Sequence, residues 1–234
     1  MFKLLSTANP KIQKGTQRGY LSFILHLAPA DLSGRETCPK RTPGCTSACL
    51  NTAGRGGMFK RGETTNVIQR ARIRKTQYFF HNREAFMGDL VSDIMKAVNY
   101  ARRKGLTPVF RLNGTSDLSW EKYATPYGSD NIFTQFPTLQ FYDYTKVLGR
   151  KVSHLSNYHL TFSKADGNDA DVAEALMQGM SVVAVYDAIP LGVPSADLDD
   201  LRFLDPRGIM LGLKAKGRAK KDYSGFVIRV KETA

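Results

Sequence analysis

Cysteine occurs nowhere outside one short loop, acidic residues are scarce, and no apolar run is long enough to span a membrane. Each shortage excludes something. Three cysteines are an odd number and cannot all close into intramolecular disulfides. The opening Met1-Phe2-Lys3-Leu4-Leu5 is too short and too soon polar for a secretory signal, so a reducing, cytoplasmic setting is expected. Neither a G-x-G-x-x-G turn nor a phosphate loop ending in Gly-Lys-Ser/Thr is present, which argues against both glycine-rich nucleotide sites. Nothing pairs a serine or cysteine nucleophile with an oriented base. Against 34 Lys and Arg stand only 21 Asp and Glu, a formal charge of +13. Such an excess draws polyanions and also offsets a negatively charged centre.

The one loop that holds cysteine holds all of it: Cys38-Pro39-Lys40-Arg41-Thr42-Pro43-Gly44-Cys45-Thr46-Ser47-Ala48-Cys49, followed by Leu50-Asn51-Thr52-Ala53-Gly54. Two prolines and a glycine bend the backbone between thiols separated by six and then three residues, so the sulfurs converge more readily than they pair. Three readings stay open. A structural zinc wants a fourth ligand, and His26, His81, His154 and His159 are the only histidines. A 4Fe-4S cluster is satisfied by three thiolates with one iron left open. Three ordinary thiols need no metal, but leave the turn residues and the clustering unexplained.

The charge is uneven. Residues 1–75 carry 14 Lys and Arg against 3 Asp and Glu, with Lys40, Arg41, Arg55, Lys60, Arg61, Arg70, Arg72, Arg74 and Lys75 flanking the cysteines. Lys214, Lys216, Arg218, Lys220 and Lys221 form a second cluster. Singly these are solvated surface residues; together they suit an anionic partner.

At 234 residues the chain fits a single α/β domain. The first nineteen residues read as an arm or edge hairpin. Tyr20 to Leu27 is an apolar strand that empties into a long loop, residues 28–57, of the kind usually functional. His26, at the strand's end, is either a core histidine or a fourth metal ligand. Thr64 or Thr65 caps a helix through Phe79, and Asn82 caps another that Gly105 ends. Strands follow at 109–112, 138–142, 158–162, 181–186 and 208–213, alternating with helical segments that include most of 119–136 and a helix closed by Gly179. A final strand, 225–230, pairs across the basic turn into a C-terminal hairpin, 214–234. Alternation of this kind implies parallel β-α units with right-handed crossovers. Six strands without a nucleotide fingerprint predict a partial or closed parallel β/α barrel with polar residues at the strands' C-terminal mouth.

This arrangement resembles the radical S-adenosylmethionine superfamily, in which a three-cysteine loop after the first strand of a partial barrel holds a 4Fe-4S cluster and the cofactor chelates the open iron. The motif Cys38-Pro-x-x-Thr-Pro-Gly-Cys45-x-x-x-Cys49-Leu-Asn-Thr-Ala-Gly also resembles a family encoded by bacteriophages and some bacteria, which covers most of the chain and implies little about activity. The first resemblance implies that Cys38, Cys45 and Cys49 ligate the cluster. It further implies that Asn113, Gly114 and Thr115 receive the methionine amino group, with Asp117 as their acid, and that Ser163, Lys164 and Asp166 meet the ribose and carboxylate. The second implies the host cytoplasm as the place of action.

Two functions are therefore expected to compete. One is a radical-generating iron-sulfur enzyme using S-adenosylmethionine. The other is a non-catalytic iron-sulfur protein whose basic surface binds nucleic acid or another polyanion. There Arg55, Arg61, Arg70, Arg72 and Arg74 contact phosphates, Phe59, Tyr78 and Phe79 offer stacking faces, and Asp117, Asp143, Asp187 or a histidine closes the fourth iron site. A weaker third is zinc-assisted hydrolysis with Asp143, Asp166 or Asp187 as base, against the plain reading of these residues as caps and turns.

Overall fold

A computed structural model describes residues 3–7 and 10–230. Strand β1 (Leu5–Ser6) is followed by helix α1 (Pro10–Thr16) and strand β2 (Tyr20–Leu25). The long connection contains α2 (Pro43–Ser47) before α3 (Val67–His81), α4 (Arg83–Arg103) and β3 (Thr107–Arg111). Then come α5 (Ile132–Gln135), β4 (Gln140–Thr145), β5 (Tyr158–Ser163), α6 (Asp169–Met177), β6 (Val182–Tyr186), β7 (Met210–Lys214) and β8 (Val227–Ile228).

These strands form one eight-stranded sheet in the order β1-β2-β3-β4-β5-β6-β7. Neighbours from β2 to β7 pair in parallel, and β1 lies antiparallel at the edge. Strand order follows chain order with no reversal, unlike a doubly wound sheet. Among the described residues no ladder joins β7 back to β1 or β2, so the sheet is not closed by hydrogen bonds.

Both faces are covered, which is why the strands read as nearly continuous apolar runs. Side chains alternate across the sheet. Phe23, Phe110 and Phe141 pack with Phe79, Phe86, Leu90 and Ile94 of α3 and α4, and Phe162 and Val182 pack with Val172 and Ala175 of α6. On the other face Val109 and Tyr142 meet Leu201, while Val183 and Leu211 meet Ala196. The segment that covers this second face, residues 195–204, has no period and no strand signal. It is tied in by Ala196, whose amide donates to Gly212 at 2.7 Å, and by Asp200, which pairs with Arg111 at 3.0 Å.

Helix boundaries follow their caps. Asn66 rather than a threonine starts α3, its side chain accepting the Gln69 amide at 2.9 Å, and Asn82 starts α4 by accepting from Ala85. Gly105 takes φ +66°, letting Leu106 donate back to Ala101 at 3.0 Å and turn the chain into β3.

Three expectations are corrected. Residues 119–136 are mostly irregular, with a short 3-10 turn at Trp120–Lys122 and one turn of helix in α5. Pro126 and Gly128 (φ +82°) break the run, and its aromatic spacing reflects Trp120 and Tyr123 packing on Phe79 from a coil. The C-terminal segment does not fold back as a hairpin on β7: β8 runs parallel to β6, with Val185 opposite Val227 and Tyr186 opposite Ile228. A five-residue 3-10 turn, Gly217–Lys221, carries the chain across to that slot. The N-terminal segment is a two-residue edge strand and a helix, not a hairpin. Residues 231–234 of the expected hairpin lie outside the described residues.

Candidate metal centre

Each cysteine is anchored to a different element, Cys38 to the turn after β3, Cys45 to the loop after β5 and Cys49 to α3. The chain leaving β2 is bound to the turn after β3: Gly114 donates to the Leu25 carbonyl at 2.9 Å, Thr115 Oγ1 to Leu27 at 2.5 Å, and the Asp117 amide to the Thr37 carbonyl at 2.8 Å. Thr37 Oγ1 closes the turn by donating to Ala28 at 2.6 Å. Cys38, next in the chain, therefore sits over the end of β3, its sulfur accepting the Ala30 amide at 3.4 Å with the Thr115 carbonyl 4.0 Å away.

Cys45 is carried by α2. Thr42 caps that helix, accepting the Cys45 amide at 3.1 Å, and Pro43 stands at its first turn. Asp166, beyond β5, holds the same turn by accepting from the Thr42 hydroxyl, the Gly44 amide at 3.1 Å and the Cys45 amide at 3.2 Å. Cys49 caps the 3-10 turn Leu50–Thr52, its sulfur accepting the Asn51 amide at 3.5 Å, and Arg72 of α3 donates to Asn51 Oδ1 at 2.5 Å.

The three thiols share a cation. Lys146 follows β4, and its amide donates to Asp117 Oδ2 at 2.7 Å. Its ammonium faces Cys45, with Asp117 and Cys38 in electrostatic range; burial works against the charge, but these neighbours prevail and push its pKa up. Burial pushes the Cys38 thiol up to about 11 against the hydrogen bonds from Ala30 and Thr37, with Cys49 and Asp117 adding to the rise. Burial likewise raises Cys49, which also feels Cys45, Lys146 and Arg72. Asp117 is raised by burial, and its Oδ1 is buried without a hydrogen-bond partner. Cys38 and Cys49 are thus protonated at neutral pH, and coordination there would release protons. As the side chains stand, no group of three or more His, Cys, Asp or Glu among the described residues is arranged to hold a metal ion.

A family model described as Gene product 88 matches residues 3–230. The chain belongs to the Gene product 88 family. No curated protein and no solved structure matches it. The membership accords with the resemblance to a phage-type family and carries no activity with it. No helix of this Gene product 88 family member is, among the described residues, long and apolar enough to cross a membrane.

The other residues singled out in its sequence divide into those given to architecture and those facing the thiols. Asn113 is 2% exposed and its side chain is fully engaged: Nδ2 donates to Leu118 at 2.9 Å, while Oδ1 accepts from Ser116, the Leu118 amide and Trp120 Nε1. Gly114 lets β2 and β3 close up, since a Cβ there would stand 2.6 Å from the Leu25 carbonyl. Ser163 accepts Asn168 Nδ2 at its carbonyl, Lys164 pairs with Asp169 at 2.6 Å, and Asp166 is spent on α2. Asp143 lies inside β4 rather than at a strand end and accepts the Asn113 amide and the Tyr158 hydroxyl, while Asp187, past the end of β6, accepts the Ala188 and Val230 amides as a turn residue does. His26 is half-buried just past the end of β2, its pKa lowered to about 3 by burial, Arg72 and Arg111, and its Nδ1 is 3.5 Å from Ser6 Oγ. Only Asp117 and the cysteines face the shared cation. Lys146 is not marked out by the sequence, because nothing local distinguishes a lysine after a strand until the fold aims it at a thiol; Arg72, expected among the phosphate contacts, instead donates to Asn51 beside Cys49.

Proposed function

We propose that this chain is an iron-sulfur protein whose Cys38, Cys45 and Cys49 hold a 4Fe-4S cluster at the mouth of a partial β/α barrel. The observation that carries the reading is that the three cysteines, on one loop but tethered separately to the turn after β3, the loop after β5 and α3, all lie within electrostatic range of the same lysine, Lys146. Three soft sulfurs suit iron-sulfur ligation, and Arg72 and Lys146 supply the positive charge that thiolates need. Strand order without reversal, helices on one face and segment 195–204 on the other support the partial barrel.

With three thiolates one iron lacks a protein sulfur, and S-adenosylmethionine is a cofactor whose amino and carboxylate groups suit it. When bound, that cofactor would supply radical chemistry by one-electron cleavage of its sulfonium. The chain's own part would be ligation by the thiols and orientation by the groups nearest them. Asp117 is the strongest candidate, because Asn113 and Asp166 already spend their side chains on the fold.

Anaerobic reconstitution with iron and sulfide tests the reading. The expected product is brown protein with about four irons per chain, lost in Cys38→Ser, Cys45→Ser and Cys49→Ser. With dithionite and S-adenosylmethionine it should release methionine and 5'-deoxyadenosine; a cluster that forms but whose spectrum ignores the cofactor would leave a non-catalytic iron-sulfur protein. Colourless protein containing zinc would overturn the cluster itself.

A second reading, a protein whose basic surface takes a polyanion, is favoured by one specific observation: the 3-10 turns at Leu50–Thr52 and Gly217–Lys221, from the two basic clusters of the sequence, lie against each other.

A further inference from the structure

We infer that the rim beside the cysteine mouth is a binding track for single-stranded nucleic acid; this rests on the polyanion reading above and names its ligand and its contact residues. Neither of the two basic stretches 37–62 and 206–221 contains an acidic residue. They lie far apart in the chain, and the fold brings them into contact: a Cβ on Gly217 would stand 3.3 Å from Ala53 and 3.5 Å from the Thr52 carbonyl. Lys40, Arg55, Lys60 and Arg61 from the first and Arg218, Lys220 and Lys221 from the second are exposed and, among the described residues, make no ion pair. Arg41 and Lys216 in these segments are balanced by Asp31, Glu36 and Asp197, but the cations left over repel one another, and a phosphate backbone relieves that cost.

Shape and apolar exposure select single strands. Between Arg55 and Lys60 stand Met58, 70% exposed, and Phe59, 38% exposed, side chains on which an unpaired base can stack. The segment is held rigid from beneath. Asn66 Nδ2 donates to the carbonyls of Gly56 at 2.9 Å and Met58 at 3.0 Å, and Gln69 Nε2 to Gly56 at 3.0 Å. Gly57 packs so closely that a Cβ would fall 2.0 Å from the Thr52 carbonyl. Cations and ring are therefore presented on a pre-organised coil, and little ordering entropy is lost on binding. A duplex offers phosphates but keeps its bases stacked, so it can use the cations and not the ring.

The test is fluorescence anisotropy of the full chain with labelled DNA and RNA strands of about 20 nucleotides, the matching duplex, and heparin as a polyanion without bases. Single strands are expected to bind best, losing roughly a hundredfold in affinity between about 50 and about 200 mM salt. Arg55→Ala/Lys60→Ala/Arg61→Ala should flatten that salt dependence by about two in logarithmic slope. Phe59→Ala should weaken single strands about tenfold and leave the duplex unchanged. The DNA and RNA arms decide which strand the track takes. Arg102→Ala/Arg103→Ala, exposed cations at the end of α4, should change little; a loss matching the rim triple would make the effect one of overall charge and overturn the inference. If duplex and heparin bind as well as single strands and Phe59→Ala is silent, the single-strand inference falls while the polyanion reading stands. If nothing binds, or binding ignores salt, both fall. Circular dichroism of each variant confirms that it is folded.

Discussion

Two polar clusters crown the same end of the sheet, and they are built on opposite plans. Around Asn113 everything is satisfied: Asp143 accepts the Asn113 amide at 2.7 Å and the Tyr158 hydroxyl at 3.1 Å, and Trp120, wholly buried, donates to Asn113 while packing on Phe79 and Phe86. Around the cysteines the contacts are long sulfur bonds, one carboxylate oxygen of Asp117 has no hydrogen bond and only a 3.8 Å ion pair with Arg150, and a buried lysine stands beside the thiols. Buried polar groups without partners cost stability, so a fold tolerates them where something else is meant to bind. The first cluster holds the strand ends together; the second is held open by it.

Breaking the closed cluster should have the largest effect. Trp120→Ala removes a fully buried indole and leaves Asn113 Oδ1 with one donor fewer, and should cost about 3–5 kcal/mol in urea unfolding. Iron bound per folded chain should not change. A loss below about 1 kcal/mol would show the knot to be dispensable.

Next in size is a pH effect from the same cluster. Burial, opposed by the Asn113 amide and Arg111, raises Asp143 from 3.8 to about 7. The folded protein therefore keeps a proton that the unfolded chain gives up near pH 4. Asp143 favours folding fully below that point, and its contribution is lost as pH climbs towards about 7. Asp143→Asn should remove this fall in stability between about pH 4 and pH 7. Asp166, in the open cluster, runs the other way: the Thr42 hydroxyl and the amides of Gly44 and Cys45 outweigh burial and lower its pKa, so its support is present at neutral pH and disappears in acid. Unfolding curves that keep the same slope in Asp143→Asn would remove the distinction.

The sequence made the closed plan easier to read than the open one. Strand spacing, the caps at Asn82 and Gly105 and the two-sided burial of β2 follow from local period and chain chemistry, and they are where expected. Segment 195–204 was invisible because its buried charges look like surface: Asp199 pairs with Arg18 and Arg202, and Asp200 with Arg111, partners chosen by the fold. Strand β8 lies within the expected 225–230, but its partner was not legible, because nothing local tells two residues to slot in parallel beside β6 rather than fold back on β7. At the mouth, Cys38, Cys45 and Cys49 announced themselves, whereas Lys146 did not. Asn113 and Asp166 stood at the right strand ends, but what they bond is decided by Trp120 and α2, which no spacing predicts.

The smallest change sharpens the contrast most. Gly44 is buried in α2, and a Cβ there would lie 2.0 Å from Ser224 Oγ and 2.6 Å from Asp166 Oδ1. Ser224 can turn aside at the loss of its 2.8 Å bond to Asp222, but Asp166 cannot move without giving up the Thr42 hydroxyl and two amides. Gly44→Ala should therefore cost only about 1–3 kcal/mol in stability, less than Trp120→Ala, because α2 can shift as a unit. That shift carries Cys45 away from Cys38 and Cys49, which are tethered to β3 and α3 instead. Iron content after reconstitution should fall much further than the melting temperature suggests, the reverse of the Trp120→Ala result. Equal, modest losses of both would mean that the two clusters are one cooperative unit and that the cysteine mouth has no separate role.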